Sequence, residues 1–351
     1  SLNNLSSPLS VHMILSLLSH GADSETLDEL TTGLCHLDKN SIEEGYTSLI
    51  AVLNELKDVK LYIANALYVQ DGLELLTEFL TIGTDVYQSV ISKLDFKRNV
   101  DASERINKWV KETTNDKISD LVTSRDFNEY TKLVLINAIY FNGVWLQKFD
   151  TKNTEKRAFH VTEKEKKFVP TMFNKSKYNH GEIPSLKAKF IEIPYMDIVM
   201  TIILPNEVNG LSTVQNNFSW EILAKASRSA NDVELYLPKF KIEFTVDLKT
   251  ILRKLGLNKM FEDNADFNRM TKVPLKVSKV LHKAVIEVNE EGTEAAAATA
   301  VHMRLRRMID MPVQFLVDRP FMFVIEYKPN NIPLFVGSVR DINVTPKRDE
   351  L

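Results

Sequence analysis

The sequence predicts an α+β protein in which helices come early in the chain and β-strands dominate later. Apolar residues first recur at helical spacing, whereas β-branched and aromatic runs follow. Glycine and proline never cluster into a low-complexity spacer. A chain of 351 residues with 44% hydrophobic residues can bury a large core. We therefore expect one mixed domain over residues 1–351 rather than two tethered domains.

The first elements are amphipathic helices. Val11, Ile14 and Leu18 recur at helical spacing, and Gly21 predicts where that helix stops. Similar patterns predict helical segments over residues 26–34 and 41–56, and a helix followed by a short turn over residues 101–121.

Strand patterns begin at residues 60–69, where the apolar spacing changes from the helical to the strand period. Residues 133–145 form a long β-branched and aromatic run, which predicts a strand in the middle of a sheet with both faces buried. Further strands are expected within residues 190–205, 233–244 and 321–339. Turn residues such as Pro329-Asn330-Asn331 break the last two segments into hairpins.

Composition and charge exclude several classes of function. Lysine and arginine total 44 and aspartate and glutamate 47, so no global basic field would attract nucleic acid. No stretch approaches the roughly 18 apolar residues of a membrane-spanning helix. Residues 41–57 are acid-rich, which argues against polyanion binding there, and Lys164, Lys166 and Lys167 are interpreted as a solvated turn.

The common enzyme motifs are absent: the sequence has no Gly-x-Ser-x-Gly elbow, phosphate loop, dinucleotide fingerprint or His-Glu-x-x-His helix. The single cysteine, Cys35, excludes an intrachain disulfide and a metal site built on several thiolates, and we expect its thiol to be buried. His282 is interpreted as a hydrogen-bonded core histidine rather than a catalytic one. No cofactor or metal is therefore expected.

The most unusual segment runs from Glu287 to Ala300 and then reaches Arg304-Leu305-Arg306-Arg307. Its alanines favour a helix over residues 293–308 by propensity alone, but they leave almost no apolar stripe for such a helix to bury. Small side chains also fit between two strands that are already packed, where larger ones would clash. Both interpretations remain open from the residues alone.

The sequence resembles the serpins, the serine protease inhibitor family, along nearly its whole length. The resemblance rests on motifs in the family's order: Ser7-Pro8-Leu9-Ser10-Val11 with Gly21-Ala22 and Thr26-Leu27-Asp28-Glu29-Leu30 (helix B region), Ile106-Asn107-Lys108-Trp109-Val110 with Thr113 and Lys117-Ile118 (helix F), Asn137 to Trp145 (a strand of sheet A), residues 290–299 (the hinge), and Asp318-Arg319-Pro320-Phe321 with Pro333-Leu334-Phe335-Val336-Gly337 (the C-terminal hairpin). Serpins begin with one further helix, so the resemblance implies a trimmed or disordered N-terminus.

The resemblance implies helices packed on three β-sheets and an exposed reactive-centre loop that can insert into sheet A. The hinge and loop would occupy residues 290–317, and the hinge would comprise Glu290, Glu291, Gly292, Thr293, Glu294, Ala295, Ala296, Ala297, Ala298 and Thr299. Ser7, Ser10, Asn137 and His282 would form the shutter, a hydrogen-bonded cluster beneath the strands that open. Trp145 would lie at the breach, where insertion starts. None of these roles is catalytic.

The implied activity is suicide inhibition of an arginine-specific serine protease. Arg304, Arg306 and Arg307 match the Arg-x-Arg-Arg preference of furin-like proprotein convertases and place the reactive bond at Arg307-Met308. The usual family spacing from Gly292 instead places the bond at Arg306-Arg307 and favours a trypsin-like target. A noninhibitory serpin, acting as a carrier or chaperone, is the alternative within the family. The inhibitor is expected to be a monomer that forms a covalent complex with its target.

Residues 348–351, Arg-Asp-Glu-Leu, closely resemble the C-terminal Lys-Asp-Glu-Leu signal that retrieves proteins to the endoplasmic reticulum. The retrieval receptor is therefore an expected partner. The first residues show no secretory signal, which is expected to have been removed. Sequons at Asn4, Asn174, Asn217 and Asn343 are compatible with a glycoprotein of the secretory pathway, from which secretion is also expected.

Overall fold

A computed structural model describes residues 3–36, 38–56, 59–290 and 312–342. The helices of these residues are α1 (Pro8–Gly21), α2 (Ser24–Gly33), α3 (Lys39–Glu55), α4 (Thr77–Asp85), α5 (Asn99–Thr113), α6 (Leu211–Asn217), α7 (Trp220–Lys225) and α8 (Lys249–Lys254). The strands are β1 (Asn4–Ser6), β2 (Val59–Gln70), β3 (Val90–Leu94), β4 (Leu133–Gly143), β5 (Glu155–His160), β6 (Lys166–Ile183), β7 (Ala188–Pro194), β8 (Ile198–Pro205), β9 (Ser229–Pro238), β10 (Phe240–Asp247), β11 (Val277–Val288), β12 (Val313–Leu316), β13 (Phe321–Tyr327) and β14 (Ile332–Val339). The α+β class is confirmed.

Helix α1 lies in the middle of the molecule and packs against β4, β14 and α2. It starts at Pro8, because the Ser7 hydroxyl accepts a hydrogen bond from the backbone of Ser10 and Pro8 fixes the first turn. It ends at Gly21, as predicted. Most of its residues are buried, so it forms part of the core rather than a surface layer.

The smaller sheet has five strands in the order β10-β11-β4-β2-β3. Every residue of β4 is buried, and the strand has neighbours on both sides. This confirms the predicted central strand with two buried faces. Strand β4 pairs antiparallel with β2 and parallel with β11. On one face, α5 covers the sheet through side chains such as Ile106 and Val110, which join the same apolar cluster as Ile136 of β4.

The larger sheet contains nine strands, eight of them in the order β1-β14-β13-β8-β7-β6-β9-β12 with β5 also paired to β6. Strand β6 is 18 residues long and pairs first with β5, then with β9, and finally with β7 near its end. Because β6 pairs with strands on both sides of this sheet, two of the three sheets implied by the resemblance are joined into one continuous sheet here.

The expectation of a buried thiol at Cys35 is wrong. Cys35 follows the end of α2 with a left-handed φ of 54°, and its side chain is exposed. The chain reverses direction there, and the next residue, His36, faces Ser16 of α1. A turn that directs residue 36 inward leaves residue 35 facing solvent.

Candidate functional site

The candidate functional site is the seam between β4 and β11, the parallel strands in the middle of the five-stranded sheet. Their pairing runs from Leu133 and Val277 to Phe141 and Ile286. The described chain stops just beyond β11 at Glu290 and resumes at residue 312. Because β4 and β11 run in the same direction, a segment that folded back from the end of β11 would run antiparallel to both. A strand added at the seam would therefore gain hydrogen bonds on both of its edges.

The four predicted shutter residues meet beneath the middle of the seam, and all are fully buried. The Ser10 hydroxyl donates to Asn137 Oδ1 at 2.9 Å, and His282 Nδ1 lies 2.5 Å from the same oxygen. The backbone N–H of Ser7 donates to His282 Nε2 at 3.4 Å. An amide oxygen only accepts hydrogen bonds, so His282 must carry its proton on Nδ1. The structure brings together all four residues that the resemblance assigns to this cluster, Ser7 through its backbone and the other three through their side chains.

Burial lowers the pKa of His282 to about 4, so the ring is neutral at neutral pH. Both ring nitrogens contact the protein, one as a donor and the other as an acceptor. This confirms the interpretation of His282 as a hydrogen-bonded core histidine.

Asn65 of β2 belongs to the same cluster and was not identified from the sequence. Asn137 Nδ2 donates to Asn65 Oδ1 at 2.5 Å, so the network extends across β2, β4 and β11 to helix α1. The available signal was one polar amide in the otherwise apolar run of residues 61–69. Such a residue predicts a buried partner, but it does not say which one.

At the carboxyl end of the seam, side chains of the β4 segment reach across to the β11 segment. Tyr140 donates from its hydroxyl to Glu287 at 2.9 Å, and Asn142 donates to the Glu287 carbonyl at 3.2 Å. The Trp145 indole N–H donates to the Asn289 carbonyl at 2.8 Å. Trp145 also stacks on Tyr195, with ring centroids 4.2 Å apart. These contacts must break if the strands separate at this end.

Glu290, the first predicted hinge residue, has a buried carboxylate that pairs with the partly exposed Lys239. Its carboxylate lies 2.7 Å from Lys239 Nζ and accepts a hydrogen bond from Thr154 at 2.8 Å. Burial opposes the charged form, but the hydrogen bonds from Lys239 and Thr154 outweigh burial and lower the pKa of Glu290. The carboxylate therefore fixes the point at which the chain leaves the sheet.

The other predicted hinge and reactive-bond residues lie outside the described residues: Glu291, Gly292, Thr293, Glu294, Ala295, Ala296, Ala297, Ala298, Thr299, Arg304, Arg306, Arg307 and Met308. So do Asn343 and residues 348–351. Within the described part of the chain, no three His, Cys, Asp or Glu side chains are grouped to hold a metal ion. No helix of that part is long and apolar enough to cross a membrane.

A family model described as "Serpin (serine protease inhibitor)" matches residues 1–342. The chain is a serpin. It is 37% identical to antichymotrypsin-2 of Bombyx mori, with 94% of this chain and 90% of that protein covered. It is 36% identical to the leukocyte elastase inhibitor of Bos taurus, with 94% and 91% covered. The crystal structure of Serpin48 from Tenebrio molitor superposes with a TM-score of 0.89 at 36% identity, covering 97% of this chain and 92% of that one.

Membership places this serpin in a family of serine protease inhibitors rather than of enzymes, as the sequence predicts. The assignment of Ser7, Ser10, Asn137 and His282 to the shutter, and of Trp145 to the breach, stays a prediction about opening. The positions of these residues along the seam are what the structure adds.

Replacing Asn137 with alanine should destabilise this serpin by about 3 kcal/mol, because buried groups of Ser10, His282 and Asn65 would lose a partner. The urea midpoint and the half-life of inhibitory activity at 45 °C measure the effect. Asn142→Ala is the matched control, since it removes one amide bond near the end of the seam and should cost about 1 kcal/mol. Equal effects of the two variants would contradict a special role for the cluster.

Proposed function

We propose that this serpin is a suicide-substrate inhibitor of arginine-specific serine proteases, with furin-like proprotein convertases as the preferred targets. The main structural support for this proposal is the seam. If β4 and β11 separate, their two parallel edges can both pair with a segment that starts at Glu290. The target's serine oxygen attacks the carbonyl carbon of Arg307, and the bond to Met308 breaks. The amino group of Met308 leaves with a proton, and an ester acyl-enzyme remains. Insertion of the cleaved loop at the seam then distorts the protease before water can hydrolyse the ester.

The composition of the hinge supports inhibition over a carrier or chaperone role. Residues 293–299 are threonine, glutamate and alanine, with no proline, arginine or large apolar side chain. Alternate side chains of an inserted strand must fit into a core that is already packed, and small ones do so without overpacking. Gly292 supplies backbone freedom at the bend. A noninhibitory serpin needs none of these features.

The three arginines support the choice of target. Furin-like convertases have acidic subsites for arginines immediately before the cut, one residue earlier and three residues earlier. Cleavage after Arg307 places Arg307, Arg306 and Arg304 in these three subsites. Cleavage after Arg306 uses fewer of them and would suit a trypsin-like protease. We therefore favour the Arg307-Met308 bond.

Incubation with furin should give a covalent complex that survives boiling in detergent, together with a released C-terminal peptide that begins at Met308. Denaturing gels and intact mass report both products. A peptide that begins at Arg307 would refute our choice of bond. Complete cleavage without any complex, by furin-like and trypsin-like proteases alike, would refute inhibition itself.

The Arg304→Ala variant separates the two target classes. It should slow the inhibition of furin by tenfold or more, because a charge-assisted contact is worth about 1.5–3 kcal/mol. Trypsin inhibition should change little, since trypsin recognises the residue before the cut. Equal losses against both proteases would remove the convertase assignment.

We also propose that the protein is retained in the endoplasmic reticulum by residues 348–351 and acts there and along the secretory route, in part after secretion. Among the described sequons, Asn4 and Asn217 are both exposed, but the Asn217 amide nitrogen donates to the Thr213 carbonyl at 2.8 Å, so Asn4 is the better candidate for a sugar. The Asn174 amide nitrogen instead donates to the Lys148 carbonyl at 2.6 Å. Deleting residues 348–351 should move the protein from the cell to the medium, and glycosidase treatment of either pool reports the sugar.

A further inference from the structure

Three histidines that play no part in the proposed inhibition meet between α1, α3 and the turn after α2. His12 and His20 lie on α1, and His36 lies in the turn. The rings of His12 and His36 have centroids 5.5 Å apart. Tyr46 of α3 and Tyr87, which follows α4, complete the cluster through ring contacts with His12 and His20. Imidazole rings are an unusual choice for a helix interface, since apolar side chains would pack there without titrating.

The hydrogen bonds of His12 fit a neutral ring with one donor nitrogen and one acceptor nitrogen. His12 Nε2 lies 3.0 Å from the Leu34 carbonyl, which only accepts, so this nitrogen carries the proton. His12 Nδ1 therefore accepts a hydrogen bond from the Tyr46 hydroxyl. A second proton on the ring would turn this acceptor into a donor, so the hydrogen bond between α1 and α3 would have to reverse and the Tyr46 hydroxyl would have to send its own proton to another partner.

His36 is neutral because burial lowers its pKa to about 4. Its Nε2 lies 2.9 Å from the Ser16 hydroxyl, and that hydroxyl is also 3.3 Å from the Tyr46 hydroxyl. Protonating both His12 and His36 would place two positive charges on neighbouring, partly buried rings.

The surroundings of His20 contain charges of both signs. Its Nε2 lies 3.0 Å from the Tyr87 hydroxyl, and its Nδ1 lies 3.5 Å from the Glu43 carboxylate. Glu43 favours a protonated ring, but it is shared with Lys39 at 3.8 Å, which opposes it. His20 is therefore the member of the cluster whose charge is best compensated after protonation.

A cavity of about 260 Å³ gives water access to the cluster. Its lining includes His20 and His36 together with the charged residues Asp38, Lys39 and Arg269. Arg269 is paired with Asp23 at 2.8 Å. Protons can thus reach His20 and His36 in the folded protein. The nearby carboxylates are Asp38, which lines the cavity, and Glu43, which contacts His20.

Burial is the main cause that lowers the pKa of all three rings, to about 4 for His20 and His36. Repulsion from Lys39 and His36 lowers the pKa of His20 further, and repulsion from His12 does the same for His36. In the unfolded chain these groups titrate near their usual 6.5. Between these two values the native state binds fewer protons than the unfolded state, so its stability falls as the pH falls from about 6.5 toward 4.

Helix α3 is the element that such a loss would affect first. It buries only three of its residues, Tyr46, Ile50 and Leu53. Beneath it lies a smaller cavity of about 80 Å³ whose lining includes Leu53 and Asn65. Asn65 is the hydrogen-bond partner of Asn137 in the shutter. Detachment of α3 would therefore admit water beside the network that holds the seam.

We propose that His12, His20 and His36 form a histidine latch that keeps α3 on α1 at neutral pH, and that their protonation detaches α3 and inactivates the inhibitor. This inference rests on the proposed inhibitory function. The latch confines inhibitory activity to neutral surroundings, because an inhibitor carried into an acidic compartment loses the native state that it needs to trap a protease.

The test measures two quantities on the purified full chain. Residual inhibition of trypsin is titrated at pH 7.4 after incubation at pH 5.0 or 7.4, and hydrogen exchange of residues 39–55 is followed at both values after correction for intrinsic rates. We expect inactivation to be at least tenfold faster at pH 5.0, since this pH lies about 1.5 units below the pKa of the rings in the unfolded chain and each unit corresponds to a factor of about ten per ring. Exchange over residues 39–55 should increase before exchange over β11 does.

The variant His12→Gln/His36→Gln keeps hydrogen-bonding groups at both positions but cannot be protonated. It should lose most of the acid acceleration, whereas His180→Gln, which changes a half-buried histidine on β6 instead, should behave like the parent chain. Acid sensitivity equal to the parent in the double variant would overturn the latch. So would early exchange in β11 rather than in residues 39–55, since that would assign the effect to His282.

If the double variant is already inactive at pH 7.4, the latch is tested by the hydrogen-exchange data on the parent chain alone. Unchanged exchange of residues 39–55 between the two pH values would then overturn the latch. A parent chain that forms no complex with any protease at pH 7.4 would refute the proposed function, and the exchange measurement would still test the latch separately.

Discussion

Replacing Thr293 with arginine should convert this serpin from an inhibitor into a substrate. Inserted at the seam, a side chain of the hinge must enter the packed interior of the five-stranded sheet, where every residue of β4 is buried. Burying an unpaired guanidinium costs several kcal/mol, so insertion should become slower than hydrolysis of the acyl-enzyme. We expect the covalent complex to fall by about a hundredfold or more, while the rate of cleavage at the reactive bond stays near that of the parent chain.

Gel quantification of complex against cleaved inhibitor, over a range of protease ratios, measures this partition. Thr293→Ser is the matched control, because it keeps a small polar side chain and should still form the complex. If Thr293→Arg traps protease as well as the parent chain does, insertion at the seam is not the mechanism.

The second large effect concerns thermal stability. Cleavage in the loop should raise the midpoint of thermal unfolding by about 20 °C or more, because a new strand would pair with both β4 and β11. A strand matched to the 11 residues of β4 adds about ten hydrogen bonds at roughly 1 kcal/mol each, and each kcal/mol corresponds to about 2 °C for a chain of this size.

Calorimetry at one fixed scan rate compares intact and cleaved protein, since unfolding of such a chain need not be reversible. The cleaved Thr293→Arg variant is the control and should gain much less, because its hinge resists insertion. An unchanged midpoint after cleavage of the parent chain would favour a noninhibitory relative.

The elements that the sequence predicted best are those whose pattern is decided locally. The run from Leu133 to Gly143 is apolar on both faces, and only a central strand can bury it. Helix α1 carries its own cap and its own terminating glycine. His282 was interpreted correctly because a single histidine among apolar residues has few arrangements other than a buried, hydrogen-bonded ring.

Other features depend on partners that are distant in the sequence. Strand β6 was not predicted, because lysines, asparagines and Pro170 interrupt any apolar pattern along its 18 residues. Its strand conformation comes from pairing with β9 and β5. The contact of Glu290 with Lys239 and the place of Asn65 in the shutter also need tertiary structure. Cys35 was placed wrongly because composition says nothing about a left-handed turn.

The pairing of β1 with β14 has a consequence for biosynthesis. Asn4, near the start of the described chain, lies opposite Ser338, near its end, and β1 has no other strand beside it. A ribosome must therefore translate every residue from Asn4 to Val339 before the edge of the larger sheet can close. Until then the edge of β13 that will receive β14 stays open, and exposed strand edges are where nascent chains associate wrongly. The order of the strands therefore leaves this edge in need of protection by chaperones during synthesis.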